Sequence, residues 1–315
     1  MPSFGDFQPL CTHIPSYTWC NLFYRQIQQL DPSLLTGLSS SSDSAPVGVN
    51  PTCGIERVGN DGNIGNIADV VACALSMTVV VQLCWVTNRR VAAVGRTEFL
   101  SLLAIYFLTL PFQLLTTGSL LQQGTMPLVI LTSIHAGLVA AFFVILLWNA
   151  VVATQLVEDG TISSLLPLTI LTLAFFAATT YVSLDTGLGF TSALGPDSSD
   201  PLRLRNVALF VLTSVWPAAS VLFFLLIISY IVLFVLSEPK AVWFYVLASA
   251  LFVLSQLAWF LLGRVICDRA NSKIDGSFIA TVLETAAVSV LYLAWRGITE
   301  ESWEDPGAYY PSWHN

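Results

Sequence analysis

IADVVACALSMTVVVQLCWVTNRRVAAVGR, residues 67–96, decides the fold. From Ile67 to Val86 it holds one acidic residue, Asp69, at the start, and no basic one. As a helix, some twenty residues rise about 30 Å, the thickness of the hydrocarbon core of a bilayer. Arg89, Arg90 and Arg96 follow, the densest positive cluster in the chain. Cationic loops are held on the cytosolic side, and the first span usually sets orientation. Residues 1–63 are therefore expected on the lumenal or extracellular side and the Arg89–Arg96 loop in the cytosol.

The whole composition agrees with a membrane setting. Of 315 residues 55% are hydrophobic and only 10% charged, against about 25% charged in soluble domains. A net charge of −8 argues against a nucleic-acid partner. The first sixty residues hold no secretory h-region, so the first span is expected to act as its own insertion signal. Six more apolar runs follow: Phe99–Thr117 with a kink at Pro111, Pro127–Leu147, Ile162–Val182 ended by Asp185, Val207–Leu236 interrupted by Pro217, Ala241–Leu262 and Phe278–Trp295. The expected fold is all-α: a polytopic bundle of seven transmembrane helices, a lumenal N-terminal tail and a short cytosolic C-terminal tail. Three regions result: the tail 1–63, the membrane domain 64–297 and an acidic tail 298–315.

Within the N-terminal tail, Trp19, Leu22, Phe23, Ile27 and Leu30 recur at helical spacing until Asp31-Pro32 stops them. Such a helix either lies on the membrane surface or packs on its own bundle. The serines at 39–42 read as a flexible linker. Charge does not decide the orientation: Arg89, Arg90, Arg96, Lys240 and Arg296 fall on one face, and Arg25, Arg57, Arg203, Arg205, Arg264, Arg269 and Lys273 on the other. Cysteines do better. Cys73 and Cys84 lie inside the first span, whereas Cys11, Cys20, Cys53 and Cys267 share one face, as an oxidising lumen permits. Four cysteines allow three pairings, and spacing does not choose among them.

Little in the chain resembles catalysis. Its histidines are His13, His135 and His314, too scattered for a metal site. No phosphate-cradling glycine loop and no Gly-x-Ser-x-Gly elbow appears. No enzyme and no cofactor is expected. Glu284 stands out because a carboxylate within the seventh span is costly. Two readings stay open: a proton or ligand site partnered by His135 or Gln113, or a hydrogen-bonding contact between helices. Two short cytosolic loops, Gly95-Arg96-Thr97-Glu98 and Glu158-Asp159-Gly160-Thr161, either dock by complementary charge or are independent solvated turns. The C-terminal tail interleaves Glu300, Glu301, Glu304 and Asp305 with Trp303, Tyr309, Tyr310 and Trp313. It suits a disordered acidic segment, or a peptide docked by a vesicle-coat protein.

Taken in order, Phe4-Gly5-Asp6-Phe7, Cys11, Pro15, Cys20, Gly48-Val49, Pro51-Thr52-Cys53, the two cytosolic loops, Cys267, Asp275-Gly276 and Trp295 give the chain a resemblance over nearly its whole length. It resembles the fungal chitin synthase export chaperones, seven-span proteins of the endoplasmic reticulum. The loop at 184–204 is longer and richer in Gly and Ser than that pattern. The resemblance implies a client-specific chaperone whose partners are a polytopic chitin synthase and membrane lipid. A seven-helix receptor is the main rival, but no Asp-Arg-Tyr follows the third span and no Asn-Pro-x-x-Tyr ends the seventh. A repeat-type transporter, the third reading, would show two similar halves, and the chain shows none.

Overall fold

The computed structural model describes residues 3–40, 44–45, 47–57, 65–118, 120–191 and 202–299. His314, the acidic tail from residue 300 onward, serines 41–42 and residues 192–201 of the loop at 184–204 lie outside them. Two short helices come first, α1 (Gln8–His13) and α2 (Cys20–Leu30). A two-residue ladder pairs β1 (Ser44–Ala45) antiparallel with β2 (Ile55–Glu56). Seven helices long and apolar enough to span a membrane follow: α3 (Ile67–Asn88), α4 (Arg96–Thr117), α5 (Met126–Ala153), α6 (Ile162–Leu188), α7 (Val207–Val235), α8 (Pro239–Arg269) and α9 (Gly276–Thr299). The protein is a multi-pass membrane protein with an all-α bundle.

Every span matches an expected apolar run, and most extend past it. A hydropathy window stops at the first polar residue, whereas a helix continues while its backbone bonds can be made. Asp185 does not end α6. It lies buried inside the helix, and its carboxylate accepts from Thr191 N at 2.7 Å and from Thr191 Oγ1, which secures the chain after Leu188. Pro111 does not interrupt α4, which is continuous from Arg96 to Thr117. Proline acts differently in α7. Pro217 has no N–H to offer the preceding turn, and residues 211–215 just before it wind as a π-helix, with Trp216 N bonded to the Val211 carbonyl. Further π stretches occupy 231–235 and 258–262.

At the centre of the bundle stands α5. Of its most apolar window 72% is buried, against 17% for α6, which turns most of its surface outward. α5 packs against α4, α6 and α7, while α9 packs between α3 and α8. Gly137 permits α5 and α6 to cross closely: a Cβ there would lie 2.2 Å from Thr180 Oγ1 and 2.9 Å from the Phe176 carbonyl oxygen. Where lipid removes the hydrophobic drive, such small-residue contacts are what bring helices together. The interior is apolar, built on Leu102, Leu103, Leu110, Phe143, Phe224 and Val232.

The described residues between 3 and 57 close one end of this bundle as a cap. Phe7, Leu22, Phe23 and Ile27 are buried in one cluster with Val129 and Ala136 of α5 and Leu209 of α7. Thus α2 lies on its own bundle, against α5 and α6. Asp31 ends it: the residue is extended, and its carboxylate accepts from Ser33 N at 3.0 Å beside Pro32. Main-chain bonds fasten the cap further, from Phe7 N to the Leu204 carbonyl (2.8 Å) and from Glu56 N to the Ser272 carbonyl (3.1 Å). Ser39 is buried, and its hydroxyl accepts from Asn50 N at 2.7 Å. The described start of the serine run thus satisfies a backbone donor of the cap.

Candidate functional site

Three groups of polar side chains depart from the apolar background. The first lies at the end of the bundle opposite the cap. Gly95 precedes α4 with φ +67° and Gly160 precedes α6 with φ +67°, a region that disfavours side chains. Their N–H groups point across to each other's loop. Asp159 Oδ2 accepts from Gly95 N at 2.9 Å, and Glu98 Oε1 accepts from Gly160 N at 2.9 Å and Ser164 Oγ at 2.7 Å. Each carboxylate therefore sits where a helix begins, where the dipole favours a negative charge. Glu98 is wholly buried, while Glu158 is exposed. Thr161, the N-cap residue of α6, donates to the Glu158 carbonyl at 2.7 Å.

The two loops do dock, but not by complementary charge. Arg96 instead donates to the Asn88 carbonyl at the C-terminus of α3, 3.1 Å away. Both carboxylates accept from backbone N–H groups, and Glu98 also from the Ser164 hydroxyl, partners that no count of charged residues reveals. α9 joins this end too: Trp295 stacks on Phe99 with centroids 4.9 Å apart and donates to the Val94 carbonyl at 3.0 Å.

The second group runs between α3, α4 and α9. Asp69, in the first turn of α3, accepts from Thr281 Oγ1 at 2.8 Å and from Thr117 Oγ1. Gln113 donates to Thr281 at 2.7 Å, and Tyr106 meets Thr285 at 2.9 Å. Asn66 caps α3 and donates to Ser277 Oγ (2.9 Å) and to Asp275 (3.3 Å). Burial pushes the Asp275 carboxyl up from its ordinary range, while hydrogen bonds from Ser16, Ser277 and Asn66 draw it back. Sequence reasoning passed over Asp69 as a residue at the edge of a span. Its signal was the hydroxyls of Thr117 and Thr281, 48 and 212 residues away.

The third group surrounds Glu284. Its carboxylate accepts from Gln256 Nε2 of α8 at 3.2 Å, so neither expected partner pairs with it. Gln113 is engaged by Thr281, and His135 Nδ1 lies 3.2 Å from Thr116 Oγ1 with Trp19 over its ring. The reason is helix geometry: α9 turns residue 284 toward α8, not toward α4 or α5. All three side chains nevertheless line one internal cavity.

The cysteines on the cap side are bonded as Cys11–Cys20 and Cys53–Cys267, with Cys73 and Cys84 free. The first bond braces the turn between α1 and α2. The second ties the end of the cap to α8. Among the described residues no group of three His, Cys, Asp or Glu side chains could hold a metal ion.

Comparison with known proteins places this architecture. The family model described as "Chitin synthase export chaperone" matches residues 3–308. Proteins of that name from Phaeosphaeria nodorum and Gibberella zeae are 28% and 29% identical to the chain, over 96% of its length and 84% of theirs. One from Coccidioides immitis is 25% identical over the same shares. No solved structure matches significantly. The family's match runs from the cap through all seven spans, and this chain belongs to the chitin synthase export chaperones, a family of chaperones and not of enzymes.

Proposed function

We propose that the protein holds a polytopic chitin synthase in the endoplasmic reticulum membrane until it is fit for export, and so serves cell-wall chitin synthesis. The observation that carries this reading is the family match over residues 3–308. Physical features support it. A bundle whose α6 and α8 turn most of their apolar surface outward offers long faces to another membrane protein. Contacts there depend on close helix packing and hydrogen bonds rather than on hydrophobic drive. In the proposed orientation the cap and both disulfides face the oxidising lumen. The Gly95–Glu98 and Glu158–Thr161 loops and the acidic tail then face the cytosol, where the tail is available to vesicle-coat proteins.

The test is site-specific photocrosslinking in reticulum membranes, with the probe placed at Val81, Leu173, Leu226 or Val253, outward positions on α3, α6, α7 and α8. Chitin synthase is expected to crosslink from one or two adjacent helices and not from all four. Normal export of the synthase in cells lacking this protein would overturn the reading.

A further inference from the structure

The internal cavity has a volume of about 170 Å³ and lies beneath the cap among α4, α5, α7, α8 and α9. An engineered protein cavity of about 150 Å³ admits benzene, so this one has room for a ring with a short chain. Its walls are mostly apolar, with Phe142, Phe143, Phe224 and Phe252 prominent. Among the polar side chains in the wall, Gln113 and His135 are engaged by Thr281 and Thr116, and two others stand apart. Glu284 lines the cavity and is only part-buried, although it sits deep in the bundle, because its carboxyl borders the empty space. Thr18, in the cap, is 1% exposed, and its hydroxyl has no hydrogen-bond partner among the described residues.

No lining residue is Lys or Arg. Gln256 gives Glu284 a hydrogen bond but no countercharge. A carboxylate so placed is costly unless a cation joins it, and aromatic faces favour the same cation. We propose that the cavity binds a small amphiphilic amine, its ammonium group against Glu284 and its apolar body among the phenylalanines. Thr18 of the cap also lines the cavity. This site is separate from the outward faces assigned to the client, and does not rest on that assignment. About 170 Å³ does not hold a two-chain lipid whole, and the proposal commits to a free amine rather than an aminophospholipid.

Calorimetric titration of the full-length protein in detergent tests this, with 2-phenylethylamine as probe and 2-phenylethanol as its uncharged counterpart. The amine is expected to bind at least about tenfold more tightly, a difference of about 1.4 kcal/mol. Glu284→Gln is expected to remove that preference. Ser249→Phe, which fills the cavity from α8 and leaves Glu284 in place, is expected to abolish binding of both probes, and it decides the matter if the Glu284 variant fails to fold. Equal binding of amine and alcohol by the unaltered protein, no binding of either, or amine binding that survives Ser249→Phe would overturn the proposal. So would displacement of the probe by phosphatidylethanolamine.

Discussion

Glu98 carries more of the structure than its place in a short loop motif indicates. Its side chain is wholly buried, one oxygen accepts from Gly160 N and Ser164 Oγ, and the other finds no partner among the described residues. Replacing it with Ala strands a backbone N–H and a hydroxyl together, at a cost of about 3 kcal/mol. Asp159→Ala removes one bond at a half-buried site and is expected to cost about 1 kcal/mol. Thermal unfolding in detergent should therefore rank Glu98→Ala well below Asp159→Ala, and equal midpoints would contradict the clamp. Gly160→Ala, forced to hold φ +67°, is expected to cost about 1 kcal/mol through backbone strain alone. At this scale the sequence marked the right residues for an incomplete reason. Gly95, Glu98, Asp159 and Gly160 stood out as motif positions, but each of their pairings joins a carboxylate to a main-chain N–H more than sixty residues away. Glu284 was conspicuous for the same reason, a charge in an apolar run, and Gln256 could not be chosen without knowing how α8 and α9 face each other.

Elements were the most legible level, because twenty apolar residues in a row have few alternatives to a spanning helix. What escaped was the way helices meet. Gly137 looked like one small residue in an apolar run, yet α5 and α6 approach to the point where a Cβ has no space. Gly137→Val is expected to force the two apart and lower the unfolding midpoint, whereas Ala250→Val, exposed on α8, should leave it unchanged. The two-residue β ladder was also invisible, since neither segment alternates. Disulfide pairing belongs here too. A non-reducing peptide map is expected to recover Cys11–Cys20 and Cys53–Cys267 and to find Cys73 and Cys84 alkylatable after denaturation. Chain-entropy arguments give the first loop, of sequence separation 9, about 2.5 kcal/mol and the second, of separation 214, about 5 kcal/mol as upper limits. Cys267→Ser should therefore loosen the cap more than Cys11→Ser, read as faster proteolysis between residues 44 and 57.

As a whole molecule the protein is a bundle with one end covered and the other laced together by its loops. Composition and hydropathy foretold the bundle. They left open whether the N-terminal region is built into it, because the helical spacing of Trp19, Leu22, Phe23 and Ile27 suits a membrane surface and a bundle face alike, and the contacts that decide reach α5, α7 and α8. The bond between Cys53 and Cys267 also imposes an order in time. Ribosomes deliver the cap first, and its last anchor only 214 residues later. At about 5–20 residues per second the Cys53 thiol waits roughly 10–40 s before its partner has been made. Until then five helices have been inserted under a cover latched at one side only, and the latch closes when α8 brings Cys267 to the right face. A finished bond thus requires that an even number of crossings lies between the two thiols, as the six helices α3–α8 supply, so the molecule carries its own check on the side its cap and α8 have reached.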